Sequence, residues 1–174
     1  YSEKDNGNLL DSNIWRILYT REGKLIVFGI NGVNLYDEEK DTFNSIMSKS
    51  NELQSQYIYS VKEDSNAHIW VGTNKGLIEL DKDLNLVKHY KDTIGNFAVY
   101  NVYDDSKGSL WVCTLGNGLF RINLNDKTIK NYKNSTSEFS ISSDNIRDAI
   151  NDSNGKLWIA TDKGLCTFDY EREE

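Results

Sequence analysis

The chain has 174 residues, of which 38% are hydrophobic and 27% charged, with 4 Trp, 10 Tyr and 6 Phe. So many aromatic residues, in a chain long enough to bury a sizeable core, exclude disorder as a description of the whole. A net charge of −7 and a pI near 4.9 set the surface against phosphate backbones and anionic lipid, so neither nucleic acid nor membrane contact by this segment is expected.

No apolar run approaches the roughly 20 residues that span a bilayer. Residue 1 is Tyr, and no basic-then-apolar leader opens the sequence, which reads as an excised or processed piece. Cys113 and Cys166 are too few for a disulfide framework and read as buried thiols. His68 and His89 are too few for most histidine-based metal sites, so no metal or other cofactor is expected.

In chain order, Ile14–Thr20 opens with strand character, and Leu25–Phe28 and Gly32–Asp37 follow as two more strands. Thr42–Met47 makes a weaker fourth. The next stretch repeats this order with stronger features: Ile58–Glu63, then Ile69-Trp70-Val71-Gly72-Thr73, then Gly76–Asp81, then Leu86–Tyr90. It recurs as Val99–Asp105, Leu110-Trp111-Val112-Cys113-Thr114, Gly118–Asn123 and Thr128–Tyr132. A last round gives Ile146–Asp152, Leu157-Trp158-Ile159-Ala160-Thr161 and Gly164–Asp169. The glycines Gly32, Gly76, Gly118 and Gly164 step by 44, 42 and 46 residues, and Asp64, Asp105 and Asp152 each stand six residues before a Trp.

A period of about 40–45 residues with four short strands per unit is the pattern of β-propeller blades. In Leu157-Trp158-Ile159-Ala160 apolar side chains point to both faces, and a lone sheet would leave one face wet. Blades standing around an axis cover both. The small residue after the Trp pair (Gly72, Cys113, Ala160) leaves room for the next blade, and the Asp-Ser-x-Gly stretches read as hairpin turns. The expected fold is therefore an all-β propeller segment of about four blades. Each is a four-stranded antiparallel sheet, and the last lacks its outer strand. The blades span about 14–49, 57–93, 97–135 and 145–174, with 1–13 as the tail of a preceding blade and its connection.

The string Asp152-Ser153-Asn154-Gly155-Lys156-Leu157-Trp158-Ile159-Ala160-Thr161-Asp162-Lys163-Gly164-Leu165 resembles the two-component regulator propeller repeat, and the second and third copies match nearly as well. The resemblance implies the extracytoplasmic sensor region, periplasmic or at the cell surface, of a bacterial membrane-anchored signalling protein. The output domain in such proteins is commonly a histidine kinase, sometimes a hybrid kinase or a diguanylate cyclase, and many of them respond to oligosaccharides. Larger rings are usual there. The open side faces of four blades are therefore expected to pair two copies into a homodimer, a pseudo-ring of about eight blades.

The repeated Trp residues occupy one strand position and read as core. Asp152-x-Asn154-Gly155 lacks the further oxygen ligands of a calcium loop and reads as turn chemistry. No Cys–His pair or Gly-x-Ser-x-Gly elbow is present, and no catalytic residue is assigned. The informative positions are those where the repeats disagree. Near the start of the first strand of each unit, which is innermost in a propeller, stand Trp15, Tyr59, Tyr100 and Arg147, followed by Arg16, Ser60, Asn101 and Asp148. The flanking positions, Ile14, Ile58, Val99, Ile146 and then Ile17, Val61, Val102, Ala149, stay apolar and read as core. Rings for stacking beside hydrogen-bonding groups suit a ligand-facing rim, so Trp15, Arg16, Tyr59, Tyr100, Asn101, Arg147 and Asp148 are the candidate ligand-binding residues. The expected function is non-catalytic ligand sensing, with an oligosaccharide as the leading ligand. The alternatives are a protein–protein scaffold and, less favoured, a propeller lyase or glycoside hydrolase.

Overall fold

The computed structural model describes residues 9, 13–30, 32–46, 53, 56–137 and 140–173. Among the described residues fifteen strands form four separate antiparallel sheets in strict chain order. Blade one holds β1 (Ile14–Tyr19), β2 (Leu25–Gly29), β3 (Gly32–Asp37) and β4 (Thr42–Ser45). Blade two holds β5 (Ile58–Glu63), β6 (Ile69–Thr73), β7 (Gly76–Leu80) and β8 (Leu86–His89). Blade three holds β9 (Val99–Asp104), β10 (Ser109–Thr114), β11 (Leu119–Asn123) and β12 (Ile129–Tyr132). Blade four holds β13 (Ile146–Asn151), β14 (Leu157–Thr161) and β15 (Gly164–Phe168). Each sheet is a meander, and the first strands β1, β5, β9 and β13 lie side by side along the inside. The chain is thus a four-blade propeller segment whose last sheet has three strands.

Burial between blades holds the segment together. One apolar cluster joins Ile26, Phe28 and Val33 of blade one to Ile69, Val71 and Ile78 of blade two. A second joins Trp70 and Leu77 to Val102, Val112 and Phe120, and a third joins Trp111 and Leu119 to Ala149, Leu157 and Ile159. Each cluster is a two-sheet interface, which is why the middle strands are buried on both faces: β6, β7 and β10 show no exposed residue. The small residue after the Trp does what its size suggests. A Cβ on Gly72 would lie 2.4 Å from Ser60 Oγ and 2.7 Å from the carbonyl oxygen of Val99, on the neighbouring blade.

Turn chemistry follows the side chains. Asp64 Oδ1 accepts the amides of Asn66 and His68 at 2.8 and 3.0 Å, Asp105 Oδ1 those of Lys107 and Ser109, and Asp152 Oδ1 those of Asn154 and Lys156. Each loop then turns back through a positive φ, at Ala67, at Gly108 or at Gly155. Between the second and third strands, the Thr73, Thr114 and Thr161 hydroxyls donate to the carbonyls of Gly76, Gly118 and Gly164 at 2.9, 2.6 and 3.0 Å.

Some expectations shift. The fourth strands are shorter: β8 ends at His89, where Tyr90–Asp92 begins a 3₁₀ turn, and β12 starts at Ile129. β4 is described to Ser45, and Met47 and the supposed tail at residue 1 lie outside the described residues. Ile17, expected in the core with Val61, Val102 and Ala149, is 66% exposed. It occupies the face that in the other blades rests on the preceding sheet, and among the described residues no sheet precedes blade one. At the opposite end Trp158 is only half-buried, whereas Trp70 and Trp111 are fully enclosed.

Candidate functional site

The register of the inner strands explains why the variable residues stand out. In blade one Ile14 pairs with Gly29 and Arg16 with Phe28, leaving Trp15 as an extra, unpaired residue. In blade two Ile58 pairs with Thr73 and Ser60 with Gly72, leaving Tyr59. In blade three Val99 pairs with Thr114 and Asn101 with Cys113, leaving Tyr100. In blade four Ile146 pairs with Thr161 and Asp148 with Ala160, leaving Arg147. Every inner strand therefore carries a β-bulge at the same place. A bulge bends its strand and re-aims the extra side chain.

Three of the four bulged residues meet. The Tyr59 and Tyr100 rings stack with centroids 4.9 Å apart at 36°, and the Arg147 guanidinium carbon lies 4.9 Å from the Tyr100 centroid on the far blade. Tyr59, Tyr100 and Arg147 thus form a continuous row across blades two, three and four. Alongside it Asn101 Nδ2 donates to Asp148 Oδ1. Both side chains are anchored by the next amide: Val102 N donates to Asn101 Oδ1 at 2.8 Å, and Ala149 N to Asp148 Oδ1 at 2.8 Å. Behind Arg147, Asp162 is held below the usual carboxylate range by hydrogen bonds from Ser143 and Asn145 and by the charges of Lys163 and Arg147. The row is half-buried at the two tyrosines and open at Arg147 and Asp148.

Trp15 and Arg16 do not join it. Trp15 packs edge-on to Tyr57 at 5.2 Å and against the apolar layer between blades one and two. Arg16 Nη1 donates back to the Trp15 carbonyl at 2.6 Å. A hollow of about 230 Å³ lies elsewhere, between β12 and β15, lined by Tyr132, Ile141, Cys166 and Phe168 among others. It borders the edge of β15 that a fourth strand covers in the other sheets, so it follows from the three-stranded sheet. Both cysteines are free. Burial pushes the Cys113 thiol far above its ordinary range, and Cys166 Sγ accepts the Ser142 amide at 3.3 Å.

Two features escaped the sequence reading. The aspartate six residues before each Trp also receives the indole. Trp70 Nε1 donates to Asp64 Oδ2 at 2.8 Å, Trp111 Nε1 to Asp105 Oδ2 at 3.1 Å, and Trp158 Nε1 to Asp152 Oδ2 at 3.0 Å. Blade one has Thr20 and Ile26 at these two places, so the carboxylate is absent where the indole is. The second feature is a charge code between blades. Glu79, across β6–β7 from Trp70, accepts Lys127 Nζ from blade three at 2.8 Å. Arg121, in the same place opposite Trp111, pairs with Glu173 beyond blade four at 3.2 Å. The signal was present as opposite charges at equivalent positions (Glu79/Arg121, Lys127/Glu173), but only the packing says which pairs with which.

The sequence matches the two-component regulator propeller family at residues 52–75 and 140–163. A histidine kinase P4 from Formosa agariphila is 31% identical over 99 residues, covering 50% of this chain and 7% of that protein. The extracellular domain of a Bacteroides protein (B. thetaiotaomicron), described as a one-component system, superposes with a TM-score of 0.78 at 21% identity over 96% of this chain and 22% of its own. A second B. thetaiotaomicron extracellular domain, described as belonging to a hybrid two-component system, gives 0.74 at 21% identity, covering 100% of this chain and 25% of its own. The chain is therefore similar to the two-component regulator propeller family in two of its repeats and shares a propeller fold with these extracellular domains, and it spans a small part of the length of the proteins it resembles.

Proposed function

We propose that this propeller segment is a non-catalytic ligand-sensing module in the extracytoplasmic part of a membrane-anchored bacterial signalling protein, and that its ligand is an oligosaccharide received at the inner rim. The observation that carries the reading is the row of bulged residues. The bulge recurs in every inner strand, yet the bulged position holds Trp, Tyr, Tyr and Arg and the next holds Arg, Ser, Asn and Asp, while the positions on either side of this pair are apolar. The Tyr59 and Tyr100 rings offer apolar surface to a pyranose, and Arg147 and Asp148 Oδ2 offer donors and an acceptor to its hydroxyls. The family match in two of the repeats and the extracellular domains of similar fold support the setting. Signalling would follow by population shift. A ligand that binds one arrangement of the sensor better favours that arrangement by its differential affinity.

The test is an oligosaccharide array followed by calorimetry on the hits, with Tyr100→Ala and Arg147→Ala beside the wild type. Binding that falls at least about tenfold in both variants supports the reading, since it corresponds to about 1.4 kcal/mol from one stacked or charge-assisted contact. No binding to any oligosaccharide, or binding indifferent to both variants, contradicts it.

A further inference from the structure

In blades two, three and four the inner strand stays paired for one residue before its first. The Tyr57 carbonyl accepts the Asn74 amide at 3.0 Å, the Ala98 carbonyl the Leu115 amide at 2.9 Å, and the Asn145 carbonyl the Asp162 amide at 3.2 Å. Tyr57, Ala98 and Asn145 are therefore equivalent positions. Each stands two residues before the bulged residue of its strand, with Ile58, Val99 or Ile146 between them. Those three side chains enter the cores between blades, and side chains alternate along an extended strand. Tyr57 and Asn145 thus point away from the cores, as the bulged residues do, and form a second tier about 7 Å along the strands from the row of Tyr59, Tyr100 and Arg147.

This tier has rings and polar groups of its own. Tyr57 is 46% exposed, and Trp15 meets its ring edge-on with centroids 5.2 Å apart. Trp15, the bulged residue missing from the row, thus backs the tier beside it. In blade three the equivalent residue is only Ala98, and the ring comes from its neighbour Phe97, 40% exposed. Phe97 is seated on two glycines. A Cβ on Gly95 would lie 3.0 Å from one edge of the ring, and a Cβ on Gly116 would lie 3.7 Å from the other edge and 3.9 Å from Asn145 Oδ1. Asn145 Nδ2 donates to Asp162 Oδ2 at 2.6 Å, which fixes the amide and leaves Oδ1 for another donor. Main-chain bonds hold the patch together: Leu115 bridges to Asn145, and the Gly116 and Gly118 amides both donate to the Asp144 carbonyl. Asp162, the carboxylate behind Arg147, joins the tier to the row.

We infer that Tyr57, Phe97 and Asn145 form an outer subsite, which takes a further sugar unit of the same oligosaccharide whose inner unit lies at Tyr59, Tyr100 and Arg147. The outer subsite presupposes the rim site proposed above and lengthens its ligand from one sugar unit to a chain. One exposed ring is ordinary on a protein surface. Here two rings and a fixed amide stand in register with a row of the same composition. Tyr57 and Phe97 supply apolar ring surface, and Asn145 Oδ1 accepts from a sugar hydroxyl. Because main-chain hydrogen bonds already hold the connections, little ordering is paid on binding.

Calorimetry on the 174-residue chain tests it, with size ladders, mono- to hexasaccharide, of gluco-, manno-, galacto- and xylo-oligosaccharides. Wild-type affinity is expected to rise about tenfold from the shortest saccharide that binds to the longer ones. Tyr57→Ala and Phe97→Leu, the second keeping an apolar side chain over the glycines, are each expected to weaken the longer saccharides by about five- to tenfold and to bind the shortest like the wild type. Tyr100→Ala is expected to weaken every length. Urea unfolding establishes that the variants are folded under the binding conditions. A wild-type affinity that does not rise with length, variants that bind every length like the wild type, or variants that weaken the shortest as much as the longest each overturn the inference. If Tyr100→Ala still weakens every length in those cases, the rim site stands without the outer subsite. If no ladder binds, or Tyr100→Ala binds like the wild type, both fall.

Discussion

Trp70 Nε1 donates to Asp64 Oδ2 at 2.8 Å, while the other oxygen of the same carboxylate accepts the amides of Asn66 and His68. One buried aspartate thus fixes a hairpin and orients the indole that fills the space between two blades. Asp105 does the same for Trp111. Replacing Asp64 or Asp105 by Ala leaves an indole N–H and two turn amides without their acceptor. The expected loss is about 2–4 kcal/mol of unfolding free energy in urea, with Asn at the same place costing less because it keeps one acceptor oxygen.

The inter-blade pair of Glu79 and Lys127 gives a second prediction. Glu79 is 2% exposed and accepts from His68 Nδ1 at 2.6 Å and Tyr90 OH at 2.6 Å as well as from Lys127. Glu79→Ala leaves the buried Tyr90 hydroxyl without its acceptor, while His68 and Lys127, 31% and 38% exposed, can turn to water, so a loss of about 2–3 kcal/mol is expected. Lys127→Met keeps the stem over Trp70 and leaves Glu79 two donors, so a loss of about 1–2 kcal/mol is expected. A double-mutant cycle by denaturant unfolding separates the pair from its surroundings.

The same carboxylate sets a pH dependence. Burial pulls the Glu79 carboxyl upward, but hydrogen bonds from Lys127, Tyr90 and His68 outweigh burial and hold it below its ordinary value of 4.5. Asp152 is likewise held below 3.8, first by the Trp158 indole and then by the amides of Lys156 and Asn154. A depressed carboxyl contributes stability that is complete above its unfolded value and is lost as pH falls through its folded one. Urea midpoints measured from pH 7 downward are therefore expected to hold until about pH 5 and then fall steadily. In Glu79→Gln the acid slope is expected to be shallower.

Glycines differ in why they are needed. At Gly72 the backbone is unremarkable, but a Cβ would strike Ser60 Oγ and the Val99 carbonyl of the next blade, so Gly72→Ala is expected to push two blades apart and cost about 1–3 kcal/mol. At Gly164 a Cβ would meet nothing within 4 Å, and the cost comes from a φ of 119° alone, expected near 1 kcal/mol. Thermal unfolding of the two variants distinguishes crowding from backbone strain.

The two ends of the segment make unequal use of the same residue. Trp111→Ala empties an enclosed site among Tyr132, Phe168 and Tyr170 and is expected to cost about 3–5 kcal/mol. Trp158→Ala, at a half-buried site, is expected to cost distinctly less.

Most of the fold was legible because the burial pattern repeats: Trp70, Trp111 and Trp158 stand in register with a glycine and an aspartate, and only radial stacking dries both faces of such strands. The row of Tyr59, Tyr100 and Arg147 was legible as a set of aligned differences. Its contact was not, because a bulge adds one residue to a strand without leaving a mark in composition. Trp15 shows the limit of alignment, since it shares the bulge and yet turns into the layer beside Tyr57. Ile17 looked like core because its equivalents are core. Whether an apolar residue at a repeat's end is covered depends on a neighbour that its own repeat does not encode.

The most direct test of the rim reading is hydrogen–deuterium exchange with and without the oligosaccharide that binds most tightly on the array. Protection is expected in the inner strands at 58–61, 99–102 and 146–149 together, with the outer strands β8 and β12 unchanged, and it is expected to vanish in Tyr100→Ala. Protection confined to the outer strands or the hairpin loops, with the inner strands unchanged, would contradict the account.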